Sequence, residues 1–413
     1  MGSGKPMSRL LQGDVGSGKT LVAAALLWLT VKNGYQAAFM APTEILADQH
    51  CQTLGDMLEP FGIRVVKLTG SMTPAQKRNA VTLLAQGMAD VAVGTHALIS
   101  AQVAFSQLGL VVTDEQHRFG VEQRSALTGK GLNPHVLVMS ATPIPRTLAL
   151  IIYGDLDISV LDELPPGRTP VETYAVGEDM RPRIWNFVRR LVGEGRQAFI
   201  VCPMVEESET LDASVKSAQE YAKELQSGVF SDLRVACIHG RMKAREKDAV
   251  MTAFAAGEYD LLVSTTVIEV GVDVPNAALM IVENADRFGL SQLHQLRGRV
   301  GRGRHKSYCV LFSDSRTESA KSRLKIMTET NDGFLISQED LRLRGPGDFF
   351  GSRQHGLPEM HVADLSADMR VLKQAQQEAQ YAVAEDPSLC RPENLPLRER
   401  IQELFELHAD TFN

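Results

Sequence analysis

The sequence of 413 residues predicts two tandem α/β domains, each a parallel β-sheet covered by helices, with a helical C-terminal extension. Three observations carry that expectation. A phosphate-loop pattern, G-x-x-x-x-G-K-[ST], occupies Gly13-Asp14-Val15-Gly16-Ser17-Gly18-Lys19-Thr20, between the apolar Leu10-Leu11 and a helical pattern from Leu21 to Val31. Short uninterrupted apolar runs then alternate with helical stretches, as in a sheet buried on both faces. The alternation breaks at Leu164-Pro165-Pro166-Gly167-Arg168-Thr169-Pro170 and resumes beyond it.

In order, Met1–Lys5 (Met-Gly-Ser-Gly-Lys) reads as a leader outside the fold, and residues 6–163 form the first domain. Its strands are expected at Ala37–Met40, Val65–Leu68, Val91–Val93, Leu108–Thr113 and Val136–Met139, with helices at Glu44–Leu58 and Pro74–Gln86. Residues 164–170 are the linker, and 171–315 the second domain. Its strand candidates are Val171–Val176, Ala198–Val201, Arg234–Ile238, Leu261–Ser264, Leu279–Val282 and Tyr308–Phe312. Helices are expected near Arg181–Val192, Ala213–Gln226 and Ala244–Phe254. The extension, 316–413, has a helix from Glu318 to Thr330, then an irregular Asn331-Asp332-Gly333-Phe334 and a Gly-rich segment to Gly356. Helices near Met369–Ala384 and Leu397–Leu407 end the chain, and no internal repeat is apparent.

An apolar content of 44% can bury large cores, and no apolar run approaches the roughly 18 residues of a membrane span. With no secretory leader, the chain reads as soluble and intracellular. The five cysteines, Cys51, Cys202, Cys237, Cys309 and Cys390, lack a CxxC pair and are expected as core residues rather than zinc ligands or disulfides. A net charge of −7 gives no bulk attraction to nucleic acid, so a DNA partner must rest on local motifs such as backbone amides and hydroxyls.

In the phosphate loop, glycines let backbone N–H groups close around β- and γ-phosphates, Lys19 adds a mobile charge, and Thr20 supplies a hydroxyl to Mg²⁺. The apolar strand ending in Asp114-Glu115 supplies the other half. One carboxylate holds Mg²⁺ through its water shell and the next orients and deprotonates the attacking water. Ser140-Ala141-Thr142 follows the next strand and carries no chemistry by itself. In the second domain, which has no second phosphate loop, Gln295-Leu296-Arg297-Gly298-Arg299-Val300-Gly301-Arg302 offers Arg299 and Arg302 to the γ-phosphate oxygens. With Arg304, His305 and Lys306 continuing the run, a basic face for nucleic acid is the alternative reading. Thr265-Thr266 and Glu269 to Asp273 stand at another strand end, placed to sense nucleotide and strand; Gly271 and Asp273 join the nucleotide-site candidates.

Gly13 to Thr20, Ala41-Pro42-Thr43-Glu44, Asp114 to His117, Ser140 to Thr142, Ser264 to Asp273 and Gln295 to Arg302 stand in the order and spacing of superfamily 2 helicase motifs. More narrowly, Gly94 to Ile99, Asp114 to Gly120, Met139 to Thr147, Leu290 to Gly303, Asn331 to Phe334 and Arg344 to Gly347 resemble the RecG family of bacterial DNA helicases. The related transcription-repair coupling family typically has Glu where this chain has Gln116 and Ala where it has Pro346, so both positions favour RecG.

The resemblance implies RecA-like domains with ATP and Mg²⁺ between them. It implies that Pro42, Thr43, Gly70, Ser71, Thr95 and His96 in the first domain, and His239, Gly240, Thr265 and Thr266 in the second, hold the DNA backbone. Gln116 and His117 would couple nucleotide state to the DNA track. A translocation motif, a helical hairpin followed by an irregular loop, corresponds to Arg323, Arg344 and Gln354.

The implied activity is 3′ to 5′ translocation on branched DNA, with fork regression and branch migration, by a bacterial cytosolic monomer that meets single-stranded-DNA-binding protein. Family members also carry an N-terminal wedge domain and a glutamine that reads adenine. Neither is found in this sequence, so fork selectivity and the base pocket are expected to be incomplete. The rival readings are a transcription-repair coupling translocase and an ATP-switched DNA-binding module without turnover.

Overall fold

The computed structural model describes the chain except residues 3, 115–125, 141–155, 164–168, 204–210, 266–273, 302, 304, 350–368 and 408–413. It divides into two compact units: a larger one that holds both sheets and runs to Ile336, and a smaller one that takes the C-terminal helices from Ser337 on.

The first sheet has seven strands, β1 (Ser8–Gly13), β2 (Gln36–Met40), β3 (Val65–Leu68), β4 (Val91–Gly94), β5 (Leu108–Thr113), β6 (His135–Ser140) and β7 (Asp157–Leu161), in the order β3-β4-β2-β5-β6-β1-β7. Every pairing is parallel. Alternate β2 residues show why a continuous apolar run suits this place: Ala37 and Phe39 join one core with Leu27 and Leu54, while Ala38 and Met40 join another with Leu84 and Val111. Burying a side chain such as Phe39 contributes about 1.5–3 kcal/mol. Helices α1 (Lys19–Lys32), α2 (Glu44–Leu58) and α3 (Pro74–Ala85) cover the sheet. Thr43 caps α2 by accepting from Leu46 N at 3.4 Å, and Thr73 and Gln76 form a capping box on α3 with Pro74 at its first position.

The second sheet has six strands, β8 (Glu172–Val176), β9 (Gln197–Val201), β10 (Val235–Ile238), β11 (Leu261–Ser264), β12 (Ala277–Val282) and β13 (Tyr308–Phe312), in the order β10-β11-β9-β12-β13-β8, again all parallel. Its helices are α4 (Arg181–Gly193), α5 (Leu211–Ser227), α6 (Ala244–Ala255), α7 (Leu290–Arg297) and α8 (Glu318–Glu329). Then come α9 (Gly333–Phe349), α10 (Met369–Glu385) and α11 (Leu395–Leu407). Two parallel-sheet α/β domains are therefore present, as the sequence predicts.

Three expectations need correction. Strand β7 is absent from the sequence reading because it is an edge strand of half-exposed residues, without the apolar run of a central strand. Helix α9 runs through Gly333-Phe334 and Gly345-Pro346-Gly347, where an irregular segment is expected; Asp332 Oδ1 accepts from Phe334 N at 2.8 Å and Leu335 N at 3.3 Å and so caps it. Met1 packs against the first core. Cys390 is exposed, on the turn after α10, whereas Cys202 and Cys309 are buried and burial pushes each thiol up to about 12.

The sheets also reveal an internal repeat. Strand β3, helix α3 and strand β4 recur as β10, α6 and β11 with every boundary shifted by 170 positions. Arg64, Gly70, Met72, Lys77, Thr82, Gly87, Asp90 and Thr95 correspond to Arg234, Gly240, Met242, Lys247, Thr252, Gly257, Asp260 and Thr265. The hydrogen bonds repeat too. Arg64 N and Arg234 N donate to Asp90 and Asp260 at 2.7 and 2.8 Å, and Lys77 and Lys247 reach the carbonyls of Gly70 and Gly240 at 2.6 and 3.0 Å. Buried Gln36 and Gln197 each donate to the carbonyls of equivalent residues, Leu84 and Ala89 in one domain and Phe254 and Tyr259 in the other.

Candidate nucleotide and nucleic-acid site

Because all strands of a sheet run the same way, their C-terminal ends share one edge, where ligands of open α/β sheets bind. The predicted site residues collect there. The phosphate loop follows β1, Pro42 and Thr43 follow β2, Gly70 and Ser71 follow β3, Thr95 and His96 follow β4, and Asp114 follows β5. In the second sheet, His239 and Gly240 follow β10 and Thr265 follows β11.

The phosphate loop is tightly built. Lys19 Nζ donates to the carbonyls of Gly13 and Asp14, both at 2.8 Å, and Val15 N donates to Asp14 Oδ1 at 2.7 Å. A Cβ at Gly13 would collide with Ser17 Oγ, so only glycine allows the loop to turn this closely. Ser17 Oγ is buried with no hydrogen-bond partner among the described residues. A buried hydroxyl left so inside a loop of backbone amides fits a cradle that a phosphate oxygen completes. Thr20 opens α1 directly after Lys19.

Asp114 is nearly buried, 9% exposed, with its N–H held by Met40 O at 2.9 Å. Its Oδ2 lies 2.8 Å from Nε2 of His50 on α2. A carboxylate only accepts, so the ring donates. His50 in turn packs on Phe39, ring centroids 4.5 Å apart.

From the second domain, α7 and the turn after it meet the phosphate loop. His294 Nε2 is 2.7 Å from Asp14 Oδ1, and its Nδ1 is 3.0 Å from Arg297 Nη2. Arg297 Nη1 donates to the carbonyls of Met327 and Thr330 at 2.9 and 2.8 Å. A Cβ on Gly298 would stand 3.1 Å from the Val15 side chain, a tight contact that a larger residue could make only by pushing Val15 aside, so backbone runs close to the loop here. Arg299 follows directly and is buried. Burial lowers the pKa of the Arg297 guanidinium.

The implied DNA contacts are placed unevenly. Gly70, Ser71, His96 and Gly240 are exposed, but Thr95 and Thr265 are buried, the Thr95 hydroxyl without a hydrogen-bond partner among the described residues. The Thr43 hydroxyl is engaged as a helix cap, Ser71 N donates to Glu44 Oε1 at 2.9 Å, and one ring nitrogen of His239 is 2.7 Å from Gln219 Nε2. Arg323 does not face solvent alone: its guanidinium donates to the carbonyls of Phe288 and Asp286 at 3.0 and 2.9 Å, bracing α8 against the second domain. Arg344 lies on α9. Glu115, Gln116, His117, Thr266, Gly271, Asp273, Arg302 and Gln354, as well as the Arg344 side chain, lie outside the described residues.

Sequence reasoning passes over His50, His294, Arg297 and Gly298. His50 had one local signal, a polar residue on the buried stripe of Leu46, Ala47, Leu54 and Leu58 on α2. His294 had none, because its partner is 280 residues away.

Comparison with known proteins agrees with this geometry. Residues 3–151 match the DEAD/DEAH box helicase family, 183–304 the helicase conserved C-terminal domain, and 330–411 the family "ATP-dependent DNA helicase RecG, domain 3, C-terminal". ATP-dependent DNA helicase RecG of Bacillus subtilis is 52% identical over 401 residues, covering 97% of this chain and 58% of that protein. The Synechocystis protein of the same name is 52% identical, covering 93% of this chain and 46% of the relative. The chain thus spans about half the length of the curated relatives it matches. A solved structure described as RecG bound to a three-way DNA junction is 49% identical, with a TM-score of 0.75, and covers 90% of this chain and 48% of its own. The motor of that family and the segment that follows it both have their counterparts here, and the chain belongs to the RecG family.

Proposed function

We propose that the chain is an ATP-driven motor that moves on branched DNA, and that residues 6–163 and 171–315 are its two RecA-like domains, joined by 164–170 and followed by a coupling extension. The observation that carries this reading is the meeting of two half-sites. The phosphate loop after β1 and the His294–Gly298 segment of the other domain touch through Asp14 and Val15. A nucleotide bound at that junction would be sensed by both domains.

Lys19 would leave the carbonyls of Gly13 and Asp14 for the β- and γ-phosphates, and Thr20 and Asp114 would hold Mg²⁺, which supplies charge neutralisation on the phosphate oxygens. The buried Ser17 hydroxyl suits a phosphate oxygen, and the nearly buried Asp114 carboxylate is a hard oxygen donor that suits Mg²⁺. Glu115 would accept the proton of the attacking water, and Arg299 and Arg302 would stabilise the charge that develops on the transferred phosphoryl group. Gly271 and Asp273 would add contacts to the nucleotide.

The exposed loops after β3, β4 and β10 would grip the DNA backbone with amides, which agrees with a net charge of −7. Arg323, which braces α8, would join Arg344 and Gln354 in passing closure on to the duplex, with Gln116 and His117 linking the two sites. The junction-bound RecG structure supports branched DNA as the substrate, and the proposed setting is repair and recombination. Among the described residues no helix is long and apolar enough to cross a membrane. The cytosol, a monomeric state and contact with single-stranded-DNA-binding protein complete the proposal.

Single-turnover ATP cleavage tests it, measured with forked, duplex and single-stranded DNA beside Glu115→Gln. Phosphate release stimulated by forked DNA in the wild type alone is the expected result. Release no greater than that of the variant on every DNA would leave an ATP-switched binding module instead.

A further inference from the structure

The second domain reaches the phosphate loop through the end of one short helix. Leu290, Leu293 and Leu296 of α7 are buried in the core of that domain, so the helix is anchored to its own sheet, and His294 stands in its last turn. Arg297 lies three residues on, on the same side of the helix, and donates Nη2 to His294 Nδ1 at 3.0 Å. A guanidinium has no acceptor, so Nδ1 keeps its lone pair and the ring proton sits on Nε2. Nε2 is therefore the donor to Asp14 Oδ1, 2.7 Å away in the first domain.

The turn of the loop is built on Asp14. The carboxylate oxygen that meets His294 also accepts from Val15 N at 2.7 Å, and the Asp14 carbonyl accepts from Ser17 N at 3.1 Å and from Lys19 Nζ at 2.8 Å. Its side chain thus sets the direction of one loop amide, while its backbone holds the next turn and the lysine. Val15 in turn packs beside Gly298, which ends α7. One helix end of the second domain therefore touches two consecutive loop residues, Asp14 by a hydrogen bond and Val15 by packing.

We propose that His294 is a positioning residue for the phosphate loop, setting the Asp14 carboxylate and through it the Val15 amide when the two domains meet. The inference rests on the reading of Gly13 to Thr20 as the phosphate site. A loop whose amides are already aimed binds phosphate more tightly than one that must be ordered by it, so a donor supplied from the other domain makes nucleotide affinity depend on closure. By the same coupling, bound nucleotide favours closure. Arg299 follows the same helix end, so one movement would both align the loop and bring up the arginine.

The test is the affinity of the full chain for a fluorescent ADP analogue, read by anisotropy. His294→Ala should weaken binding about 10-fold, the equivalent of one hydrogen bond to a charged group. His294→Gln, whose amide N–H reaches the place of the Nε2 proton, should restore most of the affinity, whereas His294→Asn, a shorter amide that falls short of Asp14, should lose as much as His294→Ala. In an Asp14→Ala background, His294→Ala should cost less than about 2-fold more, because the group it acts on is gone. Equal losses in His294→Gln and His294→Asn, or full additivity with Asp14→Ala, overturn the positioning role. Unchanged affinity in every His294 variant, with a clear loss in Lys19→Ala, overturns the role of His294 alone. Unchanged affinity in Lys19→Ala as well overturns the phosphate-site reading and this inference with it.

Discussion

His294 Nε2 lies 2.7 Å from Asp14 Oδ1 across 280 residues of sequence, joining the second domain to the phosphate loop of the first. The ring is 4% exposed, and Arg297 ties its other nitrogen to the end of α8. The Gly13–Thr20 loop and the helix that leads to the extension are thus connected by three successive side-chain contacts. A double-mutant cycle of Asp14→Asn and His294→Ala in denaturant unfolding should give a coupling energy of about 1.5–3 kcal/mol, the range for a hydrogen bond to a charged group. Additive losses would show that the contact contributes nothing to the domain interface.

Arg299 is expected to act on the transition state rather than on binding. Arg299→Ala should leave the affinity for a fluorescent ATP analogue within about 3-fold while turnover falls about 10³-fold, and Arg299→Lys should not rescue it because the planar fork is lost. Equal loss in binding and turnover would assign Arg299 to the structure of the turn instead.

The repeated lysines predict a salt signature. Lys77 and Lys247 bond the carbonyls of Gly70 and Gly240, so they shape the loops and need not touch phosphate themselves. Removing either should weaken duplex binding without changing the slope of log affinity against log salt. A slope reduced by about 1 would show a direct phosphate contact.

Asp248 on α6 supplies a pH test of the two domains' approach. Partial burial, and then the nearby Glu44 and Asp48 of α2, hold its carboxyl above the ordinary value of 3.8. For an acid raised in the fold, the protonated form is the favoured one. Its contribution is present below the ordinary carboxylate range and is lost as pH rises through the folded value. Asp248→Asn should therefore raise the melting midpoint at pH 7 by about 1 °C, a small effect because solvent screens the cluster, and the gain should vanish near pH 3. A gain independent of pH would exclude like-charge repulsion as its cause.

The legible parts of the fold are those with a local cause. Strands such as Ala37–Met40 and Leu108–Thr113 announce themselves because both of their faces are buried, so nearly every residue is apolar or small. The edge strand Asp157–Leu161 gives no such signal, since only part of it needs burial. Helix α9 hides behind Gly345-Pro346-Gly347, residues whose local preference opposes the helix that Asp332 starts. The repeat at 170 positions is faint in sequence because its shared residues, among them Arg64, Lys77 and Asp90, answer to loop and strand-end geometry rather than to a periodic pattern.

By itself the sequence determined the two-sheet architecture, the place of Gly13 to Thr20 after β1 and of Asp114 after β5, and the family, because backbone conformation, burial pattern and motif spacing act within short stretches of chain. Only the tertiary structure decided which side chains attend those groups. It set His50 on Asp114, His294 on Asp14, Gly298 against Val15 and Arg323 on the carbonyls of Asp286 and Phe288. The reason is geometric: parallel strands deliver distant loops to one edge, and a hydrogen bond of about 3 Å is specified by that convergence, not by the residues on either side of each partner.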